Sequence, residues 1–147
     1  DKAINPEKIS KTHTPVPLVS SEALDGFISL KHRATEHTLI PKTWLQEDHN
    51  VQCSRAKGDS MSPTLPDGSI VAIDFDSRTV QNGSIFLLKW KKKIVIRRTV
   101  FQDSYVLFYP DNADKEKFPI EVCSMKKAKS AKDNPILGKV IWAMAKG

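Results

Sequence analysis

Gly58-Asp59-Ser60-Met61-Ser62-Pro63-Thr64-Leu65-Pro66-Asp67-Gly68-Ser69-Ile70-Val71-Ala72-Ile73-Asp74 is the stretch on which the reading of this 147-residue chain turns. It places one serine in a tight turn at a strand end, with a glycine before it and Pro63 after it. That arrangement holds a hydroxyl exposed while nearby backbone N–H groups, here those around Asp59 and Met61, can point at a developing oxyanion. Pro66-Asp67-Gly68 then turns the chain into an apolar run, Ser69–Asp74, that reads as a strand. A bare Gly-x-Ser would carry little weight, since small residues fill turns everywhere. The whole string is far more specific.

Outward from this box the chain is a series of short apolar pieces divided by turn residues. Strands are expected at Val51–Lys57, Ser69–Asp74, Ser84–Trp90, Lys93–Arg98, Ser104–Tyr109 and Leu137–Ala145, with Gln81-Asn82-Gly83 a turn and Trp90–Lys93 a hairpin tip. Such spacing predicts a mostly β domain with a strongly bent sheet or partial barrel. Lys91-Lys92-Lys93 and the basic stretch Lys126–Lys132 read as solvated loops. Between Val16 and Leu45, short apolar groups alternate with polar ones, which suggests short strands and loops. Residues 1–17, with Pro6, Pro15 and Pro17 and no apolar period, read as a linker or arm, leaving 18–147 as the domain. A chain opening at Asp1 reads as a fragment, with a further domain expected ahead of it.

Composition excludes several classes. Two cysteines, Cys53 and Cys123, stand in neither CxxC nor Cys/His spacing, and four scattered histidines make no ligand pattern, so neither metal nor cofactor is expected. The net charge of +6 is spread over several turns and does not form one basic helix. No apolar run approaches the ~20 residues that span a bilayer, and no signal-peptide pattern opens the chain; a soluble, cytoplasmic protein without membrane contact is expected.

The Ser60 box resembles the nucleophile box of the LexA, phage repressor and UmuD family of self-cleaving serine–lysine peptidases, which is related to signal peptidase I. Further segments follow in the family's order. Val16-Pro17-Leu18-Val19-Ser20 with Asp25-Gly26 is similar to the cleavage region, and Ile94-Val95-Ile96-Arg97-Arg98 to the strand that bears the catalytic lysine. Tyr105–Pro119 and Gly138-Lys139-Val140-Ile141-Trp142 are similar to the last strands. The resemblance implies a LexA or signal-peptidase-like fold with a short cleavage-loop region. Signal peptidases share the box but work at a membrane, and no segment here could anchor the chain.

Two departures bear on function. In the family a buried lysine, neutral through desolvation, takes the serine proton; the matching position here is Arg97, and arginine keeps its proton in proteins and cannot serve as that base. Strand alternation puts Lys93, Val95 and Arg97 on one face and Ile94, Ile96 and Arg98 on the other, with Lys93 and Lys89 as remaining substitutes toward the hairpin tip. Ser60 is then either a nucleophile without its base or a structural hydroxyl bonded to Arg97. Asp25-Gly26 stands where the family has Ala-Gly or Cys-Gly, and a carboxylate entering a narrow site costs desolvation unless paired. It is either a cleavage-like site, with Asp25 able to pair with Arg97, or an ordinary turn.

The expected function is therefore the dimerisation and regulatory half of a phage or prophage transcriptional repressor, deficient in self-cleavage. Its expected partners are a second copy through Ile141, Trp142 and Ala143, operator DNA through a missing N-terminal domain, and an antirepressor protein. The alternative is an active LexA- or UmuD-like autopeptidase using Ser60 and triggered by RecA filaments in the SOS response.

Overall fold

The computed structural model describes residues 6–19 and 36–144. A short helix, α1 (Pro6–Thr12), leads into strand β1 (His13–Leu18). There follow β2 (Glu36–Pro41), one 3₁₀ turn (Lys42–Trp44), β3 (Val51–Arg55), β4 (Ile70–Asp74), β5 (Ile85–Trp90), β6 (Lys93–Gln102), β7 (Tyr105–Tyr109), β8 (Glu121–Ser124), a helical turn α2 (Met125–Ala128) and β9 (Ile136–Met144). All nine strands form one open mixed sheet in the order β2-β1-β3-β4-β9-β5-β6-β7-β8. The expected mostly β, LexA-like bent sheet is what the chain forms, without closure into a barrel.

Residues 13–17, read from sequence as part of an arm, belong to β1. The two prolines there do not prevent pairing. The amide of Val19 donates to Cys53 O at 2.8 Å, so Pro15 and Pro17, of the same parity, turn their donorless nitrogens toward β3. On that side β1 is in register with β3 only at Leu18 and Cys53, whereas all six of its residues pair with β2. Val16 and Ile40 then close over Cys53 and Ala72 as a small core. The expected exposed stretch Lys126–Lys132 begins inside α2, whose first turn is capped by Ser124 Oγ accepting from Lys127 N at 3.1 Å. The β5–β6 hairpin turns on Lys91 and Lys92, both at positive φ (49° and 67°), the two-residue turn whose twist matches antiparallel strands.

β9 departs from the unbroken alternation of a regular strand. Its register slips once against β5, between Leu87 and Leu88, and once against β4, between Ala72 and Ile73. Each slip leaves one β9 residue, Leu137 and Ile141, without an opposite number and resets which side its neighbours face. Leu137 and Val140 consequently pack in one core cluster with Val71, Ile73 and Leu87, while Ile141 and Trp142 pack together on the Val16–Ile40 core. Gly138 lies so close to β4 that a Cβ there would stand 2.7 Å from Ile73 Cγ2 and 2.8 Å from Asp74 O. A third cluster, including Phe86, Leu88, Val106, Phe108 and Ile136, fills the β5–β8 half.

Candidate active site

The turn bearing Ser60 leaves β3 through Gly58, whose φ of +83° a side chain would resist and whose N–H donates to Asp67 Oδ1 at 2.7 Å. The chain reverses through 59–62, with Ser62 N donating to Asp59 O at 3.0 Å, and Leu65 N donating to Met61 O at 2.8 Å. Ser62–Pro63 is a cis peptide. Met61 and Leu65 are both buried, so the turn is pinned on the core by two apolar side chains while Asp59 stays at the surface.

A second segment braces this turn from the side. Asn112 N donates to Ser60 O at 3.0 Å, its Nδ2 donates to Asp59 O at 2.8 Å, and Asp111 N contacts Met61 Sδ at 3.4 Å. Asp111 is itself fixed by Arg98 through two parallel bonds, Nε to Oδ1 at 2.9 Å and Nη2 to Oδ2 at 2.7 Å. These bonds hold the Asp111 carboxyl below its ordinary range, and Arg98 is correspondingly raised. Nothing in the spacing of Pro110-Asp111-Asn112 announces that this segment clamps Ser60.

Arg97 points the other way from Arg98, as strand alternation requires. Its Nη1 donates to Ser60 Oγ at 3.0 Å and to Ile96 O at 2.7 Å. Burial pushes the guanidinium below its ordinary value, partly offset by the field of Glu121. It remains a cation, so it donates to Ser60 Oγ and cannot accept its proton. Lys93 stands four residues, roughly 13 Å, along the extended strand from Arg97. Lys89 and Lys93 are both exposed, and neither is joined to Ser60 by a hydrogen bond. Through this contact Arg97 gives Ser60 Oγ a hydrogen-bond donor. Asp25 and Gly26 lie outside the described residues.

Beside Ser60 runs a groove of about 440 Å³ between the Ser54–Gly58 segment and the start of β6. A separate hollow, near Trp44, Ile141, Trp142 and Ala143, lies where the Trp44 and Trp142 rings meet at 6.1 Å. The structure also gathers three residues that sequence spacing did not connect: His49, Asp74 and Asp76. There His49 Nδ1 and buried Asp74 Oδ2 are 2.6 Å apart, Ser77 Oγ donates to the same Oδ2, and Asp76 Oδ2 accepts from Asn50 N. The Asp74 bond raises the His49 pKa. These groups satisfy one another and tie the 46–50 loop to the end of β4. Both cysteines are buried free thiols, Cys53 pushed up to about 11 by burial.

A nucleophile-like serine on a braced turn, faced by a cation from β6 of an open bent sheet, fits a peptidase-like domain of the LexA type. The chain belongs to the Peptidase S24-like family, whose model matches residues 17–141. Among the described residues no helix is long and apolar enough to cross a membrane.

Proposed function

We propose that the chain is the dimerisation and regulatory domain of a phage- or prophage-type transcriptional repressor that does not cut itself and is released by an antirepressor protein. The observation that carries this reading is the 3.0 Å contact from Arg97 Nη1 to Ser60 Oγ, which fills the general base's place with a permanent donor. Pairing two copies lets two operator-binding domains act at high effective concentration. The surface that suits pairing lies around the end of β9, where Trp44 and Met144 are half exposed beside Ile141, Trp142 and Ala143.

Sedimentation at tens of micromolar tests it: the parent is expected as a dimer, and Ala143→Glu, a change at an exposed position, as a monomer with an unchanged far-ultraviolet circular dichroism spectrum. A parent that stays monomeric at this concentration would refute the pairing surface. The rival reading, an autopeptidase answering RecA filaments, requires Ser60-dependent cleavage of the parent.

A further inference from the structure

The groove beside Ser60 has an apolar floor that includes Met61, Leu65 and Leu87, and a rim of cations that includes Arg55, Lys93 and, at its inner end, Arg97. Among the described residues none that lines it is acidic. Arg98, one residue on, has a carboxylate of its own in Asp111, whereas among the described residues Arg97 forms no ion pair. Ser54 adds an independent observation. It is 1% exposed, it lines the groove, and among the described residues its Oγ has no hydrogen-bond partner. A buried hydroxyl left unsatisfied is a free-energy cost that a bound partner group removes. On the edge of β3 that carries it, Ser54 and Arg55 beyond Cys53 are in register with β4 and, among the described residues, with nothing on the other side.

We propose that this groove docks an extended acidic segment of a separate protein. A carboxylate of that segment pairs with Arg97, its backbone lies along the β3 edge and bonds Ser54 Oγ, and its apolar side chains sit on the floor. The chain's own residues 20–35 carry Glu22 and Asp25 against Lys31 and Arg33, so they bring no net negative charge to this rim. The inference rests on the regulatory reading and gives the release protein its binding surface.

The test is fluorescence anisotropy of the whole domain with a labelled peptide, Glu-Val-Leu-Asp-Leu-Glu-Ala, and its neutral counterpart, Gln-Val-Leu-Asn-Leu-Gln-Ala. The acidic peptide is expected to bind at least tenfold more tightly than the neutral one. Arg97→Gln should weaken it about 10–100-fold, the range of a lost charge-assisted hydrogen bond. Ser54→Ala should weaken binding yet raise the melting temperature of the free domain, opposite signs that a merely structural serine would not give. Should Arg97→Gln fail to fold, the Ser54→Ala pair of readings decides. Equal affinity for the two peptides, no binding at millimolar peptide, or binding only after Asp25→Ala, which would make the chain's own segment the occupant, each overturns the proposal. Sedimentation and intact mass of the same samples judge the regulatory reading separately: a dimer that stays uncut but ignores the peptide sinks the groove proposal alone.

Discussion

Replacing Arg97 by lysine asks how much of the missing chemistry resides in one side chain. Arg97 already reaches Ser60 Oγ at 3.0 Å from a strand whose neighbours Ile94 and Ile96 pack on the core. A lysine on the same strand stands beside the same hydroxyl, and the burial that lowers Arg97 would lower its amine as well. A placed general base contributes about 10²–10⁴-fold, so the parent should cleave slower than a competent site by at least that factor. Arg97→Lys alone should recover little, because Asp25 must still be carried into the site at the cost of its hydration. Arg97→Lys with Asp25→Ala should recover more than the two single changes together. Intact mass over a day at pH 7 and pH 10 reads the result, and the two pH values separate the bases, since a lysine lowered by burial has lost its proton at pH 10 and arginine has not. The parent should stay whole at both. A 26–147 fragment from the parent, abolished by Ser60→Ala, would refute the reasoning and point to Lys93 or Lys89 as the base.

Two further outcomes are expected. Gly138→Ala must push its methyl against Ile73 Cγ2 and the Asp74 carbonyl, backbone that cannot step aside; a loss of about 3 kcal/mol, or roughly 6–12 °C in melting temperature, should be seen by calorimetry. The pH profile of the urea midpoint should have two limbs. Asp111, depressed by its Arg98 bonds, contributes stability that is present above its ordinary 3.8 and lost as pH falls through its folded value, so Asp111→Asn should flatten the acid limb. His49, raised by its Asp74 bond, contributes stability that is full below 6.5 and lost as pH rises through its folded value, so His49→Gln should flatten the opposite limb.

What the sequence made legible was what depends on local pattern. The six expected strands all form, within one to four residues at their ends, because alternation and turn residues are short-range signals. The split of Ile94 and Ile96 from Val95 into different core clusters followed from period two alone. β1 was hidden because prolines read as linker until the side they face is known, and β8 because four residues with an exposed Val122 carry little period. Register slips hid the true faces of β9, since a bulge is a property of two strands and no one-strand pattern encodes it. At the site, Ser60 and Arg97 each stood out in the sequence, and the fold joins them by one hydrogen bond. The Asp111–Asn112 brace, the His49–Asp74 tie and the unmet Ser54 hydroxyl join residues 25 to 53 apart in the chain, or turn on what is missing around one atom, and only the folded arrangement displays them.

The position of β9 has a consequence for how the molecule is made. Among the described residues it is the sole hydrogen-bonded strand between the β2-β1-β3-β4 half and the β5-β6-β7-β8 half, and it is the last of these nine strands to be synthesised. Until residues 136–144 have left the ribosome, β4 and β5 each present a naked edge, and both are lined with Val, Ile, Leu or Phe. A nascent chain therefore passes through a stage with two adhesive borders, at which crowded copies can join to one another instead of to their own final strand. A premature stop before Ile136 fixes the chain in that stage. Its product would be two sticky half-sheets, cleared by proteases or lost to inclusion bodies, and not a shortened domain with partial function.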